Sequence, residues 1–423
     1  MTLQKGRSAG WWRWAILGLL FLAGILNYVD RQALSILAPR IQKDLGVDDL
    51  GYAHIVQFFL VAYSASYLVS GWVTDKLGTR LMLALCLGWW SAANIATGLV
   101  RGITSLGFVR TLLGLGESGL YTAAPKAIGE HFEPERRGFA YGFFTAGAMI
   151  GATLAPPLIG GLAITYGWRA AFVVTGAAGF VLVAAWLAIY RRPPVNVRQA
   201  GAGDAIDWAP ILRDPSVWGL AGARLIADPV WYFYLFWLPK YLADARGMSL
   251  LAIAQLAWLV YLASDIGSIG GGWFSGRLIR RGTTPVRSRM IAMTLAAALA
   301  PFGMFIAGGV GIGVTLALAA LVAFAHLVFQ VNMGTLIVDL YPQRTVSTIF
   351  GIIAAGSGLG GIFSTELVGH LASTGAYDRA FLMMGLLHPV ACALVWATVT
   401  LRRRTAAPIT APEPPETLER IQH

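Results

Sequence analysis

GFVRTLLGLGESGLYTAAP, residues Gly107 to Pro125, is apolar enough to sit in a lipid bilayer yet carries Arg110 and Glu117. A step of seven residues is nearly two turns of an α-helix, so both side chains point the same way, about 10 Å apart along the axis. Gly114 and Tyr121 fall on the same stripe. A charged side chain at mid-bilayer costs roughly 3 kcal/mol on insertion scales. Two on one face need water or partners. That points to a pathway for a solute or ion; the alternative is a structural ion pair that locks helices together.

The composition extends this to the whole chain. Of 423 residues, 57% are hydrophobic and only 13% are charged, with 50 glycines and 15 tryptophans. A soluble chain of this length needs far more charged surface, so the sequence is that of a polytopic, all-α membrane protein in contact with a lipid bilayer. Apolar runs fall at roughly 12–37, 50–74, 81–100, 103–127, 138–162, 169–190, 216–242, 251–276, 287–308, 311–338, 346–370 and 379–401, which predicts twelve transmembrane helices. The first run is too long for a cleavable signal peptide, contains Asn27, Asp30 and Arg31, and lacks a small-residue cleavage site.

The net charge of +11 does not mark a nucleic-acid binder, because the basic residues follow topology. With the N-terminus inside, segments holding Lys5, Arg7, Lys76, Arg80, Arg136 and Arg137 and their later counterparts fall on one side. They outnumber the basic residues of the other side, such as Arg40, Arg101 and Arg169, by about three to one. Both termini are therefore expected in the cytoplasm, with the chain in the cell inner membrane. Cys86 and Cys392 both lie in apolar runs and indicate neither a disulfide framework nor a thiol metal site.

The chain repeats itself. GWVTDKL at Gly71–Leu77 is echoed by GWFSGRL at Gly272–Leu278, a shift of 201 residues. Gly142, Gly147, Gly151, Gly160, Ala171 and Phe172 reappear as Gly351, Gly356, Gly360, Gly369, Ala380 and Phe381, all shifted by 209. Two six-helix halves with the same hydropathy order are the organisation of a parallel-repeat transporter, with its solute site between the halves near the midplane. The halves are expected at 1–190 and 216–401, joined by a cytoplasmic linker at 191–215 and followed by a disordered tail at 402–423.

Gly71, Asp75, Lys76, Gly78 and Arg80 resemble the loop-2/3 motif of the major facilitator superfamily, with a degenerate copy at Gly272–Gly282. Small glycines let two helices approach closely, while the acid and the basic residues can form a gate between helices. LNYVDRQALS (Leu26–Ser35), FVRTLLGLGES (Phe108–Ser118), PERRGFAYGFF (Pro134–Phe144) and IGATLAPPL (Ile150–Leu158) are similar to the anion:cation symporter family. DPVWYFYLFWLPKYL (Asp228–Leu242), DIGSIGGGW (Asp265–Trp273) and the segment from Asn332 to Pro342 resemble its hexuronate-transporter branch. The resemblance implies the major facilitator fold and a role in substrate binding and proton coupling for Asp30, Arg31, Tyr63, Arg110 and Glu117. Some sugar-acid symporters of the family place a Gln in helix 5 and an Asn in helix 11 against the sugar, where this chain has Ala148 and Ala354.

Physical chemistry gives these residues candidate roles. Asp30 and Arg31 diverge by about 100° on a helix, so Arg31 can share the face of Asn27 while Asp30 looks at another helix, with Arg110 as its natural partner. A buried arginine stays charged and offers a planar fork for a carboxylate, so Arg31 or Arg110 is the candidate substrate clamp. Glu117 has no charged neighbour within a turn of its own helix, and desolvation penalises its charged form, as a proton carrier requires. In this reading, substrate on the arginine frees Asp30 to take a proton. In the second half Arg224 and Asp228 lie four apart, a pair expected to be structural, with Pro229 kinking the helix; Asp265 can pair with Arg224 or act as a second coupling acid. Tyr121, Trp231, Gln330 and Asn332 are candidates to touch the rest of the substrate.

The six histidines show no metal-ligand spacing, and the chain has no HExxH, phosphate loop or GxSxG. An enzyme or ATP-driven pump is therefore not indicated, and no cofactor beyond the coupling proton is expected. The expectation is a monomeric proton-coupled symporter that imports a small organic anion, a hexuronate first, with an aldonate, glucarate or aromatic carboxylate as the alternative substrate. A membrane sensor that binds such an anion without moving it has no need of Glu117 or the gate motif.

Overall fold

The computed structural model describes residues 10–191, 206–249, 256 and 258–405. Lys5 and Arg7, residues 192–205 of the linker, the start of the eighth apolar run and the tail beyond Thr405 lie outside the described residues. Among the described residues, twelve long helical segments follow one another. In the first half these are α1 (Trp11–Leu45), α2 (Asp49–Leu77), α3 (Thr79–Thr97), α4 (Ile103–His131), α5 (Pro134–Tyr166) and α6 (Trp168–Ile189). A short linker helix, Trp208–Arg213, leads into α7 (Pro215–Tyr232), which runs on through a π-helical turn at Phe233–Trp237 into Leu238–Asp244. Then come α8 (Trp258–Arg280), α9 (Pro285–Leu299) with a 3-10 extension at Ala300–Gly308, α10 (Ile312–Leu340), α11 (Val346–Ser373) and α12 (Tyr377–Thr405).

Among the described residues, eight of these helices are long and apolar enough to cross a membrane by length and composition alone. The other four, α3, α4, α7 and α8, carry polar residues or a break. Thus α4 holds Arg110, Glu117 and Lys126, α8 holds Asp265, α3 holds Asn94, and α7 is interrupted by Pro229 and the π turn. Large apolar side chains such as Val61, Phe108, Ile164, Val181 and Phe363 stay exposed on the outside, as a lipid-facing surface requires. Helix starts follow the local chemistry. Asp48 accepts a hydrogen bond from Gly51 N at 2.8 Å, and Asp214 accepts one from Ser216 N at 2.8 Å with Pro215 in the first turn of α7. The break between α2 and α3 falls at Gly78, whose φ of +80° suits a residue without a Cβ.

The repeated glycines have a common physical cause. A Cβ on Gly147 would overlap Phe21 O and one on Gly151 would overlap Ile25 O, so α5 lies backbone to backbone on α1. Their partners in the repeat do the same: Gly356 faces Ala221 O and Gly360 faces Leu225 O, which brings α11 onto α7. Within each half the helices pack in the same order: α1 on α5, α2 on α4, α3 on α4 and α6; then α7 on α11, α8 on α10, α9 on α10 and α12. The halves meet along two seams, α2 against α11 and α5 against α8.

Candidate functional site

Arg31 on α1 and Glu117 on α4 form an ion pair. Nη2 and Nε of Arg31 donate to Glu117 Oε2 at 2.7 and 3.0 Å. The carboxylate is fully buried, while a quarter (25%) of the arginine side chain remains accessible. One end of the pair is therefore sealed and the other is open to an incoming solute. Aromatic rings line the open end, with the guanidinium 4.4 Å from the Tyr63 ring centre, 5.2 Å from Tyr28 and 5.4 Å from Phe59. Tyr63 and Tyr67 share a hydrogen bond of 2.5 Å between their hydroxyls, and Tyr121 donates to Asn27 Oδ1 at 3.3 Å. Asn27 Oδ1 also lies 3.5 Å from Arg31 Nη2, on the shared face the sequence predicts. The Tyr232 hydroxyl of α7 is within electrostatic reach of the Tyr28 and Tyr63 hydroxyls, so this wall looks across at the second half.

The expected pairing of Asp30 with Arg110 needs correction. Arg110 is not hydrogen-bonded to Asp30: Asn94 on α3 donates to Asp30 Oδ1 at 2.8 Å, and Asp30 Oδ2 has no hydrogen-bond partner among the described residues. Arg110 is 2% exposed, its guanidinium lies 5.8 Å from the Phe172 ring of α6, and its Nε and Nη1 are without partners among the described residues. The acid that an arginine holds is Glu117, and the arginine is Arg31. Helical spacing fixes the face of a residue but not which neighbouring helix that face meets. Asn94, a polar group in an apolar run, is the residue that sequence reasoning missed here, and its burial cost was the available signal.

In the second half Arg224 Nε lies 2.9 Å from Asp228 Oδ2. Gln330 of α10 closes this pair into a triad, accepting from Arg224 and donating to Asp228. Arg224 is 22% accessible against 5% for its acid, the same open-and-sealed arrangement as Arg31 and Glu117. Asp265 does not reach Arg224; its Oδ1 has no hydrogen-bond partner among the described residues. Asn332 is not brought to this group either, for its Nδ2 donates to Val328 O at 2.8 Å and Gly271 O at 3.2 Å, a staple between α10 and α8. Trp231 stacks on His326 with ring centres 5.6 Å apart.

The gate-motif residues gather at one end of the bundle. Asp75 Oδ2 accepts from Thr348 N and Thr348 Oγ1, both at 2.7 Å, and its Oδ1 accepts from Ser347 N at 3.3 Å and Lys126 Nζ at 2.6 Å. An acid on the first free amides of α11 satisfies donors that the helix itself cannot and complements its dipole. A Cβ on Gly71 would overlap Ser347 O, so the acid reaches those amides only because α2 has no side chain there. Lys76 lies over Trp72, and Arg80 donates to Leu187 O of α6 at 2.7 Å.

Comparisons with known proteins bear on the family and the fold. The family model described as Major Facilitator Superfamily matches residues 20–365. A hexuronate transporter of Escherichia coli (strain K12) is 28% identical over 409 residues, covering 92% of this chain and 94% of its own. A galacturonate transporter of Dickeya chrysanthemi is 31% identical over 278 residues, covering 62% of this chain and 81% of its own. Among solved structures, the proton:xylose symporter XylE aligns with a TM-score of 0.71 at 13% identity, over 91% of this chain and 95% of its own. With two six-helix halves, twelve long helices and a family match over most of its length, the chain belongs to the major facilitator superfamily and is a transporter, not an enzyme.

Proposed function

We propose that the protein is a proton-coupled symporter that imports a sugar-acid anion, a hexuronate such as galacturonate or glucuronate, by alternating access. One observation carries the reading: an accessible arginine is held by a sealed glutamate. A substrate carboxylate offers Arg31 the same planar match that Glu117 gives, at the open end of the fork. Once displaced, Glu117 is a buried carboxylate without its cation, and taking a proton relieves the cost. Anion and proton thus enter together and leave together. Asp30, anchored by Asn94 beside the cluster, is the second acid of the coupling set, and Arg110 lends it and Glu117 a compensating field.

The substrate class draws support from the substrates named for the relatives and from the polar second wall. Tyr63, Tyr121 and Trp231 offer faces and hydroxyls to a sugar ring, and Arg224 with Gln330 offers donors to its far end. A second reading, symport of an aldonate or glucarate, is favoured by Arg224, which gives the opposite wall its own guanidinium. The three-to-one bias of basic residues supports cytoplasmic termini, hence a cytoplasmic Asp75 end, in the cell inner membrane. The protein acts as a monomer.

The deciding experiment is uptake into proteoliposomes under an imposed pH gradient. Glucuronate or galacturonate should accumulate and compete, while glucose should not, because Arg31 loses hydration for no ionic partner. Glu117→Gln should exchange substrate across the membrane but fail to accumulate it. Wild-type accumulation by Glu117→Gln would remove Glu117 from the mechanism, and equal competition by glucose would remove the arginine.

A further inference from the structure

Two histidines 62 residues apart meet inside the second half. His326 Nδ1 on α10 lies 3.1 Å from His388 Nε2 on α12, with the rings at 87°. Both are buried, His388 completely, and its Nδ1 has no hydrogen-bond partner among the described residues. Trp231 of α7 lies flat against His326, the ring planes within 13°.

The internal repeat tells what this place is. Helices α4 and α10 are each 29 residues long and stand 209 apart, the offset of the repeated glycines, so Glu117 corresponds to His326. The glycine contacts also fix the register of α7 on α1. Gly147 meets Phe21 where Gly356 meets Ala221, and Gly151 meets Ile25 where Gly360 meets Leu225. Both pairs give an offset of 200, which sets Trp231 in the place of Arg31. The Arg31–Glu117 ion pair and the Trp231–His326 stack are therefore one contact written twice, once in charge and once in rings. On α12 the offset of 209 sets His388 in the place of Gly179, so the second half has a ring where the first has only hydrogen.

We infer that His326 and His388 form a second proton-binding site, in the half opposite Glu117 and at its symmetry-related position. The neutral pair holds two ring protons, one of them between Nδ1 and Nε2. A third proton makes one ring an imidazolium, which donates across the 3.1 Å contact while Trp231 presents its π face to His326. No other bond forms or breaks. Burial of the ring is the first thing that opposes a charge on His326, followed by the fields of His388 from α12 and Arg224 from α7, and Gln330 sits one turn along its own helix. Arg224 opposes the added charge and Asp228 offsets Arg224. An anion drawn to Arg224 weakens the opposition further, so substrate binding and protonation of the pair favour each other. The proton site itself stands on the histidine geometry; only its part in transport rests on the symport reading.

The test is 15N NMR of histidine-labelled full-length protein in nanodiscs, titrated between about pH 5 and 8. Two imidazole signals should titrate together with a single one-proton step, and His326→Gln and His388→Gln should each abolish that shared step. Adding galacturonate should move it to higher pH by a readable fraction of a unit. In proteoliposomes, His326→Gln should carry one proton fewer per galacturonate than wild type while Glu117→Gln still blocks accumulation. If His326→Gln does not fold, His388→Gln, which leaves His326 in place, is read the same way. Imidazoles that stay neutral across the range, or titrate independently, overturn the inference even if Glu117 couples as proposed. Failure of galacturonate to bind would count against the symport reading and leave the titration result standing.

Discussion

The two seams between the halves are built alike in backbone and oppositely in charge. Along α2 and α11, Gly71 and Gly351 let main chain meet main chain at Ser347 and Tyr67; along α5 and α8, Gly138 and Gly142 do so at Gly272 and Ser268. The polar locks then diverge. At the first seam one buried acid, Asp75, sits on the free amides of α11 with Lys126 as its cation. At the second, the residue matching Asp75 is Gly276, where a Cβ would overlap Glu135 O. A cation fills the role instead: Arg289 donates to Pro134 O and Ser275 Oγ, both at 2.5 Å, and shares Asp339 with Arg137, at 3.1 and 2.7 Å. An acid serves helix amides and an arginine serves carbonyls, so the degenerate copy of the motif is a change of polarity, not a loss. The first lock hangs on one carboxylate, whereas the second has two cations on its acid.

Asp75→Asn should have the largest effect. It leaves Lys126 buried without its counter-charge, at a cost to the closed seam of about 3–5 kcal/mol. Hydrogen exchange at the Ser347 and Thr348 amides should quicken by more than about a hundredfold. Unchanged exchange there would show that the acid does not hold this seam.

Next come the glycines, which should not distinguish the seams. Gly71→Ala and Gly142→Ala each press a methyl against backbone, an overpacking cost of about 1–3 kcal/mol. Uptake rates should fall about tenfold or more in both variants. If only one seam responded, the shared-backbone half of the comparison would break.

Arg137→Gln should cost less, about 1.5 kcal/mol, because Asp339 keeps Arg289. Exchange along Glu135–Phe139 should rise by about tenfold. A hundredfold rise would mean that the second seam has no reserve.

The smallest effect belongs to the pair between Arg13, near the start of α1, and Glu133, in the turn between α4 and α5, 3.1 Å apart. Burial works against the charge of Glu133, but its own backbone amide and Arg13 outweigh burial and hold the carboxyl below its usual range. A depressed value means the pair contributes fully above the ordinary carboxylate range and is lost as pH falls through the lowered one. Glu133→Gln should therefore change thermal stability by less than about 1 kcal/mol at neutral pH, and the difference should vanish in acid.

Much of the fold was legible because bilayer length and backbone approach leave direct traces. A run of apolar residues states its own span, and a glycine that must face a carbonyl recurs wherever the repeat recurs. The register of α7 on α1 left no such trace, since Arg224 stands where Gly24 does and Trp231 where Arg31 does. At the candidate site, Arg31, Glu117 and Tyr121 were found from charge and spacing and Tyr63 from the family resemblance, and the fold gathers them. The partners of Asp30, Arg110 and Asn332 were not legible, because they depend on how far each helix is rotated about its axis. The His326–His388 pair escaped a search for ligand spacing because its members come from different helices. Only the offset of 209, carried from the glycines to Glu117, points to it.

The interruption of α7 has a mechanical consequence. Pro229 cannot bond the carbonyl of Leu225, the oxygen that faces Gly360, and the π turn at Phe233–Trp237 widens the ladder a turn later. Bending stiffness in a helix comes from that ladder, so the helix is rigid on either side and compliant from Leu225 to Trp237. Asp228, Trp231 and Tyr232 all lie on the compliant stretch. In the proposed rocking of the halves, strain collects on this stretch, and the shape of the second wall changes with the tilt of the bundle.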